Sequence, residues 1–334
     1  MNSLFPLHRR VVTAALTLVC LFSAGLLRGA GEEVAVVVKI GGIPWFSVME
    51  KGLMTAAKET GLKATLIGPT TADPAQQVRA VEDLIAKKVR VIAVVPNDAT
   101  ALEPVFARAR AAGITVLTHE SPSQKGAAWD LEMMDNQEYA AKNMSRLAEA
   151  MGGEGEYIVY VGSLTVPLHN LWADAAISYQ KEHFPKMHLA ADRFGVAESV
   201  DDSFNTARDA LLAHPKLKGI LTFGSQGPIG AGRAVKERGL AGKVAVVGGF
   251  SPSQGKKLLK DGVIAEGFIF NPQEAGYALG HLAKMIVDGK PIQDGLEIPG
   301  LGKAKVDAEH HVIRFDRIHS LNRETIDAFA ALGL

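Results

Sequence analysis

From Val34 onward, short runs of β-branched residues alternate with longer stretches in which apolar positions recur every three to four residues. A strand covered on both faces reads as an unbroken apolar run, and the helix covering it reads as a stripe, so the alternation predicts βαβ units around a parallel sheet. Strands are predicted at 34–40, 64–68, 91–95 and 114–118, with a fifth near 131–134, and helices at 47–60, 74–87 and 102–112. The ladder then restarts, with strands at 157–162, 188–194, 219–223, 244–250 and 265–270 and helices at 171–183, 203–213 and 230–238. The expected fold is α/β: two Rossmann-like lobes, each a parallel sheet flanked by helices, joined near residues 136–153 with a cleft at the carboxyl ends of both sheets.

One more helix is expected at 272–287, with Pro272 in its first turn and a stripe of Ala275, Leu279, Leu282 and Ile286. If it packs back on the first lobe, the chain crosses between lobes more than once and the lobes share a multi-strand hinge. Residues 31–135 with 272–290 then form the N-terminal lobe, and 136–271 with 291–334 the C-terminal lobe and tail. The pattern alone does not place the tail.

The first residues follow a different grammar. Arg9 and Arg10 precede an apolar run at 11–27, and the first acids are Glu32 and Glu33. That is the order of a secretory signal peptide. The run is short for a membrane span, which takes about 20 residues. Ser23-Ala24-Gly25 offers one cleavage site, and Arg28 weakens a site ending at Ala30; the mature start is placed near Gly31, with 1–30 as signal peptide. The one cysteine, Cys20, lies inside the run and follows Val19, where a lipoprotein site wants a small residue. A mature chain without thiol suits an oxidising compartment and excludes disulfides and cysteine-held metal.

Composition removes further classes. The 36 basic and 36 acidic residues balance, so nothing favours a polyanionic partner such as nucleic acid. The turn after the first strand, Gly41-Gly42-Ile43-Pro44-Trp45-Phe46, is neither a Walker loop nor GxGxxG. Gly224-Ser225-Gln226-Gly227 lacks the spacing of a nucleophile elbow. His119-Glu120 and Glu309-His310-His311 lack the helical pairing that would aim two imidazoles at one metal. Asp201-Asp202-Ser203 reads as a helix cap. No catalytic, metal or cofactor site is expected.

What remains is a set of loop residues at strand ends. Lys39 closes an apolar strand, where a charge needs a ligand or a buried acid such as Glu120 or Asp98. Trp45 and Phe46 follow Pro44 on the first loop, ahead of a helix whose stripe is Val48, Leu53 and Ala57, and an aromatic face suits the C–H face of a sugar ring. Asn97 and Asp98 follow the third strand, and a carboxylate can accept two hydroxyl protons from a vicinal diol; Asp98 is equally placed to cap the next helix. Glu120 and Asp135 add acceptors. The second half presents Leu168, His169, Asn170, Trp172, Phe223, Ser225, Phe250 and Asn271 at matching ends. Aromatic and neutral polar groups dominate, and no arginine stands ready to clamp an anion. The expected ligand is uncharged and rich in hydroxyls, with Lys39 leaving room for a weak anion as the alternative.

The segments Lys39-Ile-Gly-Gly-Ile-Pro-Trp-Phe, Asp73-Pro-Ala-Gln-Gln, Val95-Pro-Asn-Asp-Ala, Thr118-His-Glu-Ser-Pro, Gly162-Ser-Leu-Thr-Val-Pro-Leu-His-Asn-Leu-Trp and Ile298-Pro-Gly-Leu-Gly-Lys carry a resemblance. They resemble the type I periplasmic solute-binding proteins of sugar ABC importers, in the rhamnose and autoinducer-2 branch. The resemblance implies a non-enzymatic, monomeric protein of the periplasm that takes a small sugar to a membrane permease and ATPase. It also implies a pocket with a lysine at Lys39 and an acid at Glu120. Leu168 and His169 stand where autoinducer-2 receptors have an aspartate and a glutamine, and Phe223 and Ser225 where they offer carbonyls. The apolar Leu168 tilts this reading toward a rhamnose-like deoxy sugar, with an autoinducer-2 receptor or a chemosensory co-receptor as alternatives. A sugar-responsive repressor would need a helix-turn-helix where this chain has a signal peptide. An exported enzyme is a further alternative.

Overall fold

Val34 to Val38 are all buried, so the first strand, β1 (Glu33–Val37), has no face toward water. A strand hidden on both sides belongs inside a parallel sheet covered by helices. In a computed structural model, which describes residues 32–334, that is its place. The expected signal peptide and Cys20 lie outside the described residues.

The first lobe follows as α1 (Pro44–Thr60), β2 (Lys63–Ile67), α2 (Pro74–Ala86), β3 (Val91–Val94), α3 (Ala99–Ala111), β4 (Thr115–His119) and β5 (Trp129–Glu132). Local chemistry sets the helix ends. Pro44 and Pro74 sit in first turns, where a missing N–H costs nothing, and Gly61 ends α1 with a left-handed φ of 74°.

The second lobe contains α4 (Asn136–Met151), β6 (Gly155–Val161), α5 (Pro167–His183), β7 (Met187–Leu189), β8 (Phe194–Gly195), α6 (Val200–Ala213), β9 (Leu217–Thr222), α7 (Gly227–Glu237), β10 (Ala245–Gly248), α8 (Pro252–Lys260) and β11 (Ile264–Ile269). Next come α9 (Pro272–Val287) and a tail of β12 (Glu297–Ile298), β13 (Gly302–Lys303), β14 (Lys305–Asp307), β15 (Val312–Arg314), β16 (His319–Leu321) and α10 (Ile326–Ala331).

The sheet orders are β14-β15-β5-β4-β3-β1-β2 and β16-β11-β10-β9-β6-β7, with β8 also beside β6. All pairings inside each lobe are parallel; the antiparallel ones, β12 with β13, β14 with β15 and β16 with β11, come from the tail. The chain therefore passes between sheets after β5, after β11 and after β15.

Three expectations change. Residues 136–151 are a helix of the second lobe, capped by Asp135, rather than a joining segment. The strand expected at 188–194 is two short strands, β7 and β8. The tail is shared: β15 extends the first sheet in parallel with β5 and β16 edges the second, whereas 291–334 had been placed with the second lobe.

The helix α9 packs back on α1, as its stripe implied, and it does so at backbone contact. A Cβ at Gly52 would stand 1.8 Å from the Gln273 carbonyl oxygen, and one at Gly276 would stand 1.9 Å from that of Met49. Only hydrogen fits at either position.

Candidate ligand-binding pocket

Parallel strands in both sheets run their carboxyl ends toward one gap, and side chains just past those ends converge on one cavity. Lys39 follows β1 and Glu120 follows β4, both in the first lobe; His169 stands in the first turn of α5 and Glu198 just before α6, both in the second. The Lys39 Nζ lies 2.8 Å from Glu120 Oε2, 3.3 Å from Glu198 Oε1 and 2.9 Å from His169 Nε2. One buried ammonium thus ties the lobes together. Thr165 Oγ1 adds a second tie, donating to the Asn97 carbonyl at 3.0 Å.

Burial works against the charge on Lys39, yet the pull of Glu120, then of Glu198, outweighs it and holds the ammonium above its ordinary pKa. Burial pushes Glu198 upward, with Lys39 partly offsetting it. Burial, helped by Lys39, drives His169 well below its ordinary value, so the ring is neutral near pH 7.

A neutral imidazole has a single acceptor nitrogen. The Gly162 N–H is aimed at His169 Nδ1 at 3.0 Å and the Lys39 ammonium at Nε2 at 2.9 Å, so the neutral ring accepts from one of the two.

Glu120 holds a left-handed φ of 64°, a conformation that costs a non-glycine residue about 1–3 kcal/mol. The next residue anchors it, since the Ser121 N–H donates to Asp130 Oδ1 at 3.0 Å. Aromatic rings complete the walls. Trp45 meets Phe270 edge-on at 5.1 Å, and Trp172 stacks on His169 at 5.5 Å while donating its indole N–H to Asn136 Oδ1 at 2.8 Å.

Of the residues singled out in the sequence, Lys39, Trp45, Phe46, Glu120, His169, Trp172 and Ser225 wall the cavity. The others stand back from it. Asn97 positions Lys39, its amide donating to the Lys39 carbonyl at 2.8 Å. Asp98, Asp135 and Asn271 cap α3, α4 and α9. Asn170 braces its own loop and accepts from Arg193. Leu168 is buried off the wall, Phe223 lies behind Trp172 and Tyr139, and Phe250 packs against Gly255.

The sequence reading missed Glu198, Tyr139, Ile43, Met134, Gly224, Gly249, Ile269 and Phe270. For Asp98, the diol role gives way to the cap: its carboxylate accepts from the Ala101 N–H at 2.9 Å. Asp98→Ala should cost about 1 kcal/mol in a urea titration and leave ligand affinity unchanged; a clear loss of affinity would restore the diol role.

The sequence profile of the periplasmic binding protein domain matches residues 34–291, most of both lobes. This chain belongs to the periplasmic binding protein family. The binding protein is 24% identical over 275 residues to the ribose import binding protein RbsB of Salmonella typhimurium, covering 79% of this chain and 88% of that one. Its fold superposes on an ABC transporter solute-binding protein of Clostridium phytofermentas with bound L-rhamnose, at TM-score 0.83 and 21% identity over 90% of this chain and 99% of that one. LsrB of Clostridium saccharobutylicum in complex with AI-2 superposes at TM-score 0.81 and 19% identity, covering 89% and 99%. At these identities the two structures establish a shared fold.

Beneath the pocket the binding protein also buries a carboxyl pair, Asp130 and Glu132, on one face of β5. Burial raises the pKa of both; Glu132 is lifted well above its ordinary value, with the charges of Asp130 and Glu120 adding to the burial. The folded protein therefore keeps a proton that the unfolded chain has released, so this group's contribution to stability falls as pH climbs from the ordinary glutamate range through the folded value. Glu132→Gln mimics the protonated form. Its melting temperature relative to the wild type should rise from pH 5 to pH 8, and a flat difference across that range would contradict the assignment.

Proposed function

We propose that this protein is the exported solute-binding component of an ABC importer, closing its two lobes on an uncharged monosaccharide or deoxy sugar of the L-rhamnose kind. The observation that carries the reading is the pocket itself, with acids from both lobes gathered on one ammonium among aromatic walls. Carboxylates accept hydroxyl protons, the Lys39 ammonium donates to ring or hydroxyl oxygens, and Trp45 and Trp172 offer faces for C–H groups. Affinity then includes the cost of populating the closed form.

The relatives point the same way in their names: import of ribose in one case, bound L-rhamnose in another. The preference for a deoxy sugar over autoinducer-2 no longer rests on Leu168, which is off the wall. It rests on Ile43, Met134 and Ile269, which give a methyl group an apolar surface. The signal-like N-terminus supports export to the periplasm. No helix among the described residues is long and apolar enough to cross a membrane.

The test is a thermal scan with D-ribose, D-allose, L-rhamnose and AI-2. A bound ligand at one hundred times its Kd adds about 2.7 kcal/mol, or roughly 5–10 °C in melting temperature. A shift with AI-2 and with none of the sugars would select the autoinducer reading, and no shift with any of the four would reject the pocket as a site for this class.

A further inference from the structure

The sequence drew attention to Lys39 as the charged group of the pocket; the structure moves the weight to the acids around it. Lys39, Glu120 and Glu198 are 3%, 4% and 8% exposed, so their mutual charges act with little screening by water. Glu198 Oε1 stands 3.3 Å from the ammonium, makes no hydrogen bond, and lies on the cavity wall. Its position is built into the second lobe. The Ala197 N–H donates to the Val161 carbonyl at 2.8 Å, and Ser203 Oγ donates to the Val196 carbonyl at 2.8 Å. A Cβ at Gly162 would come within 2.9 Å of Glu198 Oε1, so a side chain there would push the carboxylate aside.

With two carboxylates flanking one ammonium, the cavity has no cation left over for a charged guest. A lysine facing the cavity alone would draw in sugar acids. We infer that Glu198 is a specificity-determining residue: together with Glu120 it neutralises Lys39 and makes the pocket refuse carboxylate-bearing sugars in favour of their uncharged counterparts. The inference rests on the sugar-binding reading and adds to it the group that sets ligand charge. A negative ligand would have to enter a desolvated site in which the like charge of Glu198 or Glu120 is its neighbour, and repulsion of that kind is how a site rejects a wrong guest.

The experiment compares D-ribose with D-ribonate and L-rhamnose with L-rhamnonate by calorimetric titration of the whole protein. Wild type should favour each sugar over its acid by about a hundredfold or more. Glu198→Gln should narrow that preference at least tenfold, and Glu120→Gln/Glu198→Gln, which leaves Lys39 as the one charge, should bind the acid more tightly than the sugar. Glu198→Ala provides a second way of removing the charge if the glutamine variant does not fold by thermal scan. Wild type binding sugar and acid within threefold overturns the inference, as does an unchanged preference in a folded Glu198 variant that still binds the sugar. Failure of wild type to bind either sugar removes the sugar reading as well, and so is told apart from failure of this inference alone.

Discussion

Lys39→Met should lower folding stability by about 3–5 kcal/mol near neutral pH, because it leaves Glu120 and Glu198 buried without their shared partner. For lobes of this size the loss corresponds to roughly 10 °C in melting temperature. The pH dependence separates charge from packing. Lys39 is held above its ordinary pKa, so its contribution is complete at neutral pH and is lost as the pH climbs from the ordinary lysine range through that raised value. Toward acid, the stranded carboxyls of the variant take up protons, and the gap between variant and wild type should narrow between pH 7.5 and pH 5.5. Met matches the lysine stem in bulk, so a packing defect alone would give a gap that does not depend on pH. A variant melting within about 2 °C of wild type at pH 7.5 would show that the ammonium does not hold the lobes.

Gly276→Val should be as damaging by a different route. In an open helix, replacing glycine adds up to about 1 kcal/mol of stability by restricting the unfolded chain. Here the added Cβ would stand 1.9 Å from the Met49 carbonyl oxygen and 3.0 Å from the Leu53 nitrogen, so α9 must lift away from α1. Overpacking against backbone has no flexible side chain to absorb it, and a cost of roughly 3 kcal/mol or more is expected in urea denaturation. Because α9 is the segment that returns from the second lobe to the first, loosened ligand closure should accompany the loss. Wild-type stability in this variant would mean that the two helices are not in backbone contact.

The parts of the fold that could be read from the sequence were those that physics makes periodic. Buried parallel strands such as β1, β3 and β6 are unbroken apolar runs, and a proline just past a strand declared the helix start at Pro74 and Pro272, whereas α1 begins at Pro44, before the start expected at 47, and takes Trp45 and Phe46 out of the expected loop. The helix α4 was missed because its buried stripe consists of Tyr139, Ala140, Asn143, Met144, Leu147, Ala148 and Met151, in which an asparagine and two alanines lower the contrast with the polar face. α8 is nine residues long and presents only Pro252, Gly255, Leu258 and Leu259 inward.

The pocket divided along the same line. Residues immediately after a regular strand, such as Lys39 and Glu120, could be placed by counting from its end. Glu198 follows the irregular stretch after β8 and belongs to no period, and the Asp201-Asp202-Ser203 cap signal beside it gave the neighbouring acids an adequate explanation. Asp98, Asp135 and Asn271 show the opposite error. A polar residue at a strand end is also a residue at a helix start, and the sequence does not say which neighbour its side chain serves.

The place of β15 bears on how the protein comes into being. It lies beside β5, yet residues 312–314 are synthesised long after 129–132, so a chain emerging from its amino end cannot finish its first sheet until nearly all of it has appeared. Contacts so distant along the chain slow assembly. Throughout that wait β5 is an open edge carrying Asp130 and Glu132, and two carboxylates on an unpaired strand discourage a second, equally unfinished molecule from docking there.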